Sequence, residues 1–357
     1  MLATSPPRAS GQSALRRMDT RTVLAALREA GTPRRATDLT AFTGLTRATV
    51  VTILRELLAA GVVREDGSEL HGGRPSPTYS INGAAFPVIG VDVSAGRAAA
   101  RLSTIDGTQL GAGEAPLGAL PGSEVLHAVA GLVERVTAAA GVPMHRLATL
   151  CLAAPGIIDA ERIVESRSFE RWVQTDLISS LGGLLGVPVL LENDANAAAL
   201  GVRGREGIRE SYLALQWGPR LGAGVMLAGE LHRGPRGGAG EIGGLTKPQH
   251  AENLEAFVGE APCAAPDGAG TVAVPAEVVG AVADAAAPAC AILGLDQVVL
   301  TGAASRDPGI AAALQAALAQ RGAGAVECLP SPAGEDSVVE GAVVSAAEHA
   351  WRALLGR

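Results

Sequence analysis

The feature that most restricts the fold of this chain is an order of predicted strands and helices that occurs twice in the sequence. "PVIGVDVSAGRAAARLSTIDGTQLG" is typical of two strands joined by a turn, the apolar Val88–Val93 and the weakly alternating Ala98–Ile105, and the helical pattern "SEVLHAVAGLVERVTAAAG" follows. Further on, "YLALQWGPRLGAGVMLAGELHRG" is again typical of two strands around a loop, and "QVVLTGAAS" adds a strand and a Gly turn. Strand pairs followed by helices, given twice, predict a two-lobed α/β architecture with a cleft between the lobes.

A polar stretch stands at the end of one predicted strand. In "VPVLLENDANAAALG" the apolar run ends abruptly in Glu192, Asn193 and Asp194 before an alanine-rich helix begins. Unpaired charge at the end of a buried strand is costly, so these side chains need a reason to be there. One explanation is a site that binds hydroxyl groups or takes a proton from one. The other is structural, with Asp194 as the N-cap of the helix.

Length and composition indicate a globular protein of two or three domains. The 357 residues exceed the usual size of one domain, and 48% are hydrophobic but only 3% aromatic, which predicts a core of Val, Leu, Ile and Ala. The four cysteines are far apart and form no CxxC pair, a reduced pattern. No signal peptide and no membrane-spanning run is apparent, so we expect a soluble, cytoplasmic protein.

The charge is unevenly distributed along the chain. Residues 1–80 carry 11 Arg and 7 acidic residues, whereas the chain as a whole has a net charge of -7. A basic N-terminal head on an acidic body favours the head as the part that binds a polyanion such as nucleic acid.

Three short helices are predicted in this head. Helical apolar spacing begins at Thr20 and stops at Gly31, and "RATDLTAFTG" forms a second helix with Thr37 as a candidate cap. After a tight Gly turn, Thr46 caps a third helix, "TRATVVTILRELLAAG". The arrangement predicts a helix-turn-helix domain. The segments "VVRED" and "LHGGRPSPTYSIN", with a Gly-rich tip, are typical of a β-wing.

The second helix of such a motif enters the major groove of DNA through its N-terminal residues. The predicted groove contacts are Thr46, Arg47, Thr49 and Thr52, and the predicted phosphate contacts are Arg34 and Arg35. Arg74, between Gly and Pro in an extended segment, suits a narrow minor groove, although a solvated Arg in a turn is an equally good interpretation. A protein-interaction module is the alternative for the head as a whole.

The order of motifs resembles the ROK family of repressors, open reading frames and sugar kinases. The motifs are the head, "GVDV", "APGIID", "ENDANAAAL", "LGAG", "GAGEIGGL" and "NLEAFV". The resemblance implies a body of two actin-like, ribonuclease-H-type lobes, and a winged helix-turn-helix in front, as in ROK repressors and unlike ROK kinases. It also implies that Asp194 is the base of the sugar kinases, that Asn193 is a sugar contact, and that Glu241 and Glu255 are two more.

Two phosphate-binding loops of the kinases are altered. The Asp-x-Gly-Gly-Thr loop is here Asp92-Val93-Ser94-Ala95-Gly96, and Gly-Thr-Gly-Ile-Gly-x-Gly is here "GPRLGAG", with Pro219 and Arg220 at the second and third positions. A phosphate cradle needs close backbone approach, which a Cβ atom obstructs. Phosphoryl transfer depends on positioning around the phosphates, so we expect no kinase activity. Arg220 either holds another anion or is a surface residue.

The zinc signature of the family is also missing. Gly243 or Gly244 stands where the family has His, and only His250 and Cys263 lie near the lost cysteine knuckle. Two ligands do not make a structural zinc site, so we expect neither zinc nor another cofactor. The sugar pocket loses that His and an Asn contact, at about Ser168, so either the ligand has changed or the site is vestigial.

These observations predict a transcriptional regulator, in the first place a repressor, that binds a double-stranded operator and forms a homodimer or homotetramer. We expect its effector, if the cleft is a sensor, to be a sugar or another polyhydroxylated small molecule. The predicted domains are a disordered tail at 1–18, a winged helix-turn-helix domain at 19–82, and a ROK-like domain at 83–357. Within the last, lobe 1 comprises about 87–197 with the C-terminal helix 337–355, and lobe 2 about 198–336. A sugar kinase with a DNA-binding head and a scaffold protein remain as alternatives.

Overall fold

The computed structural model describes residues 11–71, 74–94, 96–118, 122–166, 169–173, 175–218, 221–245 and 274–356. The described residues divide into two compact units. The first contains the N-terminal part of the chain up to Pro87, together with Thr104–Asp106 and the C-terminal residues from His349 onward. The second consists of Val88–Ser103 and Gly107–Glu348.

The N-terminal part is a helix-turn-helix domain with a β-wing. Its elements are α1 (Gly11–Ala30), β1 (Arg34–Arg35), α2 (Ala36–Thr43), α3 (Arg47–Ala59), β2 (Val63–His71) and β3 (Arg74–Ile81). The strands form a sheet of order β1-β3-β2, in which β2 and β3 are an antiparallel hairpin. The helices bury a small aliphatic core of Val23, Leu24, Leu27, Leu39, Val50, Ile53 and Leu54. The predicted fold class, a helix-turn-helix domain followed by an α/β body, is confirmed for this part.

Two helix starts differ from the sequence-based expectation. Helix α1 begins at Gly11, inside the tail predicted at 1–18, and the hydroxyls of Thr20 and Thr22 donate to the carbonyls of Arg16 and Met18 one turn earlier. A Thr that bonds backward in this way lies within a helix and does not cap it.

The N-cap of α2 is Arg35, and the prediction of Thr37 was wrong. Arg35 has an extended backbone, and its own N–H donates to the Asp38 carboxylate at 3.2 Å, as in a capping box. By contrast, Thr46 caps α3 as predicted, since its hydroxyl oxygen accepts from the backbone N–H of Thr49 at 3.2 Å.

The second unit begins with a five-stranded sheet. Its elements, with a small hairpin, are β4 (Pro87–Ser94), β5 (Arg97–Thr104), β6 (Gln109–Pro116), α4 (Gly122–Ala139), β7 (Thr149–Ala154), β8 (Ile157–Asp159), β9 (Arg162–Glu165), α5 (Leu177–Leu185), β10 (Val189–Asn193) and α6 (Asp194–Val202). The strand order is β10-β7-β4-β5-β6, with β4, β7 and β10 parallel.

A second five-stranded sheet follows. Its elements are β11 (Tyr212–Trp217), β12 (Leu221–Leu227), β13 (Glu230–His232), α7 (Ala276–Leu293), β14 (Gln297–Thr301), α8 (Pro308–Ala319), β15 (Glu327–Pro330) and α9 (Ser337–Leu354). The strand order is β13-β12-β11-β14-β15, with β11, β14 and β15 parallel. Counted within each sheet, both orders are third, second, first, fourth and fifth, so the predicted repetition of strand pairs and helices is present in the structure.

Each sheet has its own hydrophobic core. One is centred on the strand residues Ile89, Val91, Leu150 and Leu152 with the inner faces of α4 and α5, and the other on Leu213, Leu215, Val298 and Leu300 with α7 and α8. Helix α7 is long and apolar enough to cross a membrane, but it contributes eight buried residues to the second core, which explains its composition.

The C-terminal helix α9 belongs to both units. Its residues up to Glu348 lie in the second unit, and those from His349 onward lie in the first. In the first unit, Trp351 is buried and the Arg28 guanidinium stands 4.9 Å from the centre of its ring. The whole helix was predicted to belong to lobe 1 of the body, whereas its last residues belong to the first unit.

Candidate ligand cleft and DNA-binding surface

The carboxyl ends of the parallel strands in the second unit surround two adjacent cavities. In α/β sheets ligands bind at this edge, where the strand order reverses. The larger cavity has a volume of about 330 Å³ and the smaller about 210 Å³. The polar residues that line the larger one are Glu165, Ser166, Asn193, Asp194, Gln216 and Glu241. Asp194 and Gln216 line both cavities, so the two are neighbours.

Three of the four predicted ligand-binding residues, Asn193, Asp194 and Glu241, therefore lie around one cavity. Glu255 lies outside the described residues, as does Ser168. The assignment of a ligand to these side chains stays a prediction.

Asn193 is the N-cap of α6. Its Oδ1 accepts from the backbone N–H of Asn196 at 2.9 Å, and its Nδ2 donates to the Gly156 carbonyl at 3.0 Å. Asp194 occupies the first helical position, where Oδ1 accepts from the Ala195 N–H at 2.9 Å. The structural interpretation of Asp194 as the N-cap was therefore wrong. The cap is Asn193, and the Asp194 carboxylate reaches both cavities.

The smaller cavity contains a buried carboxyl group, Asp92, near the end of β4. The Arg97 guanidinium lies 4.0 Å from its carboxylate and also pairs with Glu114 at 3.1 Å. Burial, together with the neighbouring Asp194 carboxylate, raises the pKa of Asp92 to about 7 against the opposing effect of Arg97. Asp92 begins the altered phosphate loop, of which Ser94 lines the same cavity and Ala95 lies outside the described residues.

Several sequence-based expectations fall on segments outside the described residues. Pro219 and Arg220 of the second altered loop are among them, and so are His250 and Cys263. Within the described part of the chain, no three His, Cys, Asp or Glu side chains lie close enough to hold a metal ion. The absence of zinc remains a prediction.

On the head, the predicted groove residues lie at the start of α3. Arg47 and Thr52 are exposed, whereas the hydroxyls of Thr46 and Thr49 bond to each other at 2.8 Å. The Thr52 hydroxyl donates to the Ala48 carbonyl. Arg47 is therefore the predicted groove residue whose side chain is exposed and long enough to reach a base edge.

The two predicted phosphate contacts differ in their surroundings. Arg34 is exposed on β1, opposite Tyr79. The Arg35 guanidinium makes two hydrogen bonds to Asp38, at 2.9 and 3.0 Å, and holds the pKa of that carboxyl below its usual value. Arg35 thus has a structural partner. Arg74 begins β3, where it pairs with His71.

Both regions contain functional candidates that were not predicted from the sequence. Glu165 and Gln216 line the larger cavity, and Arg55 is exposed on α3, eight residues after Arg47. The signal for Arg55 was available, because it is an arginine between the buried apolar positions of the predicted third helix. No comparable signal exists for Glu165 and Gln216, because it is the order of the strands in the sheets that brings these two residues to the cavity.

Family models match most of the body and part of the head. Residues 88–269 match the model of the ROK family, and residues 21–67 match the IclR helix-turn-helix domain. The chain is 29% identical over 215 residues to a xylose repressor of Caldicellulosiruptor bescii, covering 59% of this chain and 54% of that protein. It is 30% identical over 159 residues to a glucokinase of Streptomyces coelicolor, covering 43% and 48%. It thus spans about half the length of these curated relatives.

Solved structures extend the similarity of fold to nearly the whole chain. A ROK family transcriptional regulator, described as a homolog of the E. coli MLC protein, superposes with a TM-score of 0.69 at 18% identity and covers 96% of this chain and 98% of its own. A ROK hexokinase from Thermus thermophilus has a TM-score of 0.57 at 27% identity, covering 74% of this chain and 99% of its own.

Proposed function

Since this chain belongs to the ROK family, we propose that it is a DNA-binding transcriptional repressor whose body senses a small molecule. The observation that carries the proposal is the exposed start of α3, with Arg47 beyond the Thr46 cap, on a chain with a ROK body. Helix-turn-helix proteins present this part of the second helix to base edges in the major groove.

The surrounding residues of the head support the same function. Exposed Arg34 on β1 and Arg55 on α3 suit phosphate contacts, which give affinity without sequence preference. Arg47 and Thr52 suit base contacts, which give specificity. The Arg74 position lies at the tip of the wing formed by β2 and β3. The proposal includes a contact of Arg74 with the minor groove.

For the body we propose an unphosphorylated sugar, or another neutral polyhydroxylated molecule, as the effector. Carboxylates accept hydrogen bonds from hydroxyl groups, and three of them, on Glu165, Asp194 and Glu241, line the larger cavity. None of the described residues that line this cavity is basic, and the charged ones among them are carboxylates, which would repel a sugar phosphate. The xylose repressors among the relatives support a neutral aldose as the effector, because their names refer to such a sugar.

The proposal includes no catalytic activity. Asp194 keeps the position of the family's base, but the sequence of both phosphate loops is altered, and no ATP cradle is expected. A sugar kinase is the second candidate, because Asp194 lines both cavities and glucokinases are among the relatives. A coupled ATP assay with a panel of hexoses and pentoses separates the two, since turnover abolished in Asp194→Asn would favour the kinase.

We further propose a homodimer or homotetramer that acts on DNA in the cytoplasm. A two-fold dimer suits a palindromic operator, with half-sites about one helical turn apart. Genomic footprinting of the bound DNA tests the regulator, and the genes beside the sites indicate the effector. Binding to a recovered palindrome that weakens steeply with salt is expected. No enriched DNA site would overturn the proposal and favour the scaffold.

A further inference from the structure

A buried carboxylate stands directly before the two residues that we propose for the ligand. Glu192, at the end of β10, is 4% exposed. One of its oxygens accepts from the backbone N–H of Asn193 at 3.1 Å and from the side-chain amide of Asn196 at 3.4 Å. Its other oxygen pairs with the guanidinium of Arg233, which lies 41 residues further along the chain.

Arg233 also contacts a second ligand-bearing segment. It follows β13, and its backbone carbonyl accepts from the N–H of Ala239 at 3.1 Å. That hydrogen bond closes the base of a loop that ends at Gly240, whose carbonyl accepts from the N–H of Ala223 at 3.0 Å. The next residue is Glu241, which lines the larger cavity.

We propose that Arg233 is a positioning residue that holds the Asn193-Asp194 end of α6 and the Glu241 loop in their relative places around the larger cavity. This inference rests on the proposed sensing function of that cavity. Arg233 is not among the described residues that line the cavity, so it acts through Glu192 and the loop and not through the ligand.

The charges explain why an arginine is needed here. A carboxylate as buried as Glu192 is costly unless it is paired and hydrogen-bonded. About half of the Arg233 side chain is exposed, so its guanidinium keeps much of its hydration while it neutralises Glu192. Without Arg233, the buried Glu192 carboxylate loses its countercharge and turns toward water. That rotation releases Asn193 and Asn196, and the loop loses its side-chain anchor.

Arg233→Met removes the guanidinium and keeps much of the apolar stem, and Arg233→Lys restores a positive charge. Arg236→Met, an exposed arginine in the same loop, is the matched control. Should Arg233→Met fail to fold, the double variant Glu192→Gln/Arg233→Met leaves no buried charge, while the Gln amide oxygen can still accept from Asn193 and Asn196. Hydrogen exchange measured by mass spectrometry on the full-length proteins then gives a readout that needs no ligand.

In Arg233→Met we expect exchange at least about tenfold faster in the peptides that cover 189–202 and 233–245, with the rest of the second unit unchanged. Arg233→Lys should restore most of the protection, and Arg236→Met should leave both segments as in the wild type. In the double variant the 233–245 segment should still exchange faster. Faster exchange in neither segment, in one of them only, or equally throughout the unit would overturn the inference.

Calorimetric titration with D-xylose and D-glucose tests the consequence for binding. For whichever sugar the wild type binds, Arg233→Met should weaken affinity about 10- to 100-fold, as expected for a lost hydrogen bond to a charged group, without changing operator affinity in the absence of sugar. Unchanged sugar affinity would overturn the positioning role. If the wild type binds neither sugar, the proposed sensing function fails for these sugars, and the exchange data alone decide whether Arg233 holds the two segments.

Discussion

The side-chain oxygen of Asn193 accepts a 2.9 Å hydrogen bond from the backbone N–H of Asn196, so Asn193 and not Asp194 caps helix α6. The Nδ2 of the same side chain donates to the Gly156 carbonyl at the edge of the larger cavity. The cap fixes the start of the helix, and Asp194 is thereby held at the first helical position beside both cavities. One short polar stretch thus supplies a structural residue and a ligand candidate side by side.

Asn193→Ala should lower the free energy of unfolding by about 0.5–2 kcal/mol, the usual cost of losing an N-cap. Asn193→Ser keeps an oxygen that can accept from the Asn196 N–H, so it should recover much of that loss although it gives up the contact with Gly156. Urea unfolding followed by circular dichroism measures both. Equal losses in the two variants would show that the cap is not what Asn193 contributes.

A glycine contact between α6 and α9 gives a second prediction. A Cβ atom placed on Gly341 would lie 1.6 Å from the Ala197 carbonyl oxygen, so the two helices touch through backbone. Gly341→Ala should therefore force the helices apart and cost about 1–3 kcal/mol or more. Gly183→Ala is the matched control, because Gly183 is exposed in α5 with nothing within 4 Å of such a Cβ. It should stabilise by about 0.5–1 kcal/mol. Similar melting temperatures for the two variants would contradict the contact.

The raised pKa of Asp92 predicts that the stability of the protein depends on pH. Its pKa is about 7 in the folded protein and 3.8 as the reference value, so between these values the folded state binds more protons than the unfolded state. Stability should therefore fall as the pH rises from about 4 to 7, by up to about 4 kcal/mol from this group. Asp92→Asn should flatten that part of the profile and stabilise the protein at pH 8. Glu230→Gln, at an exposed position, is the control. An Asp92→Asn profile parallel to that of the wild type would show that the carboxyl is ionised throughout.

Local patterns were sufficient to predict most of the elements. The wing and the α3 cap at Thr46 follow from signals within a few residues, and so do the helix ends at Gly44 and Gly61, where φ is 70° and 71°. The two-lobed α/β class follows from repeated strand pairs with helices. The start of α1 and the cap of α2 were missed, because Thr20 and Thr37 have capping side chains but other residues make the caps or continue the helix.

The interior of the cleft could be predicted only in part. Asn193 and Asp194 are adjacent in sequence, and they can be recognised because they are polar residues at the end of an apolar strand. The approach of Asp92 to Asp194, and the pair of Glu192 with Arg233, depend on strand order and on a loop closed by backbone hydrogen bonds. Residues 41 or more positions apart carry no periodic signal of their contact. For the same reason, no pattern in the sequence predicts that the Arg28 guanidinium stands over the ring of Trp351.

Three arginines of the head should respond differently to substitution by Ala. Arg47→Ala should weaken operator binding by about 1–3 kcal/mol and relax specificity, as expected for a base contact. Arg34→Ala should weaken binding to all sequences equally and reduce the salt dependence. Arg35→Ala should chiefly lower the melting temperature, because Arg35 pairs with Asp38 and caps α2. Fluorescence anisotropy on the footprinted site and on random DNA separates the three. Equal effects of Arg47→Ala on both DNAs would place Arg47 on phosphate.

The last prediction concerns the cleft as a sensor. A neutral sugar that binds there should raise the melting temperature and change operator affinity, and at about 100 times its Kd it adds roughly 2.7 kcal/mol of stability. Because coupling is reciprocal, operator DNA must change sugar affinity by the same factor. Asp194→Ala should abolish both responses and leave basal operator binding intact, whereas Glu230→Ala should leave all three unchanged. ATP should give no thermal shift. A broad screen of sugars and sugar phosphates without any shift would mark the cleft as vestigial, and stabilisation by ATP would favour the kinase, since it would mean that the altered loops still hold phosphate.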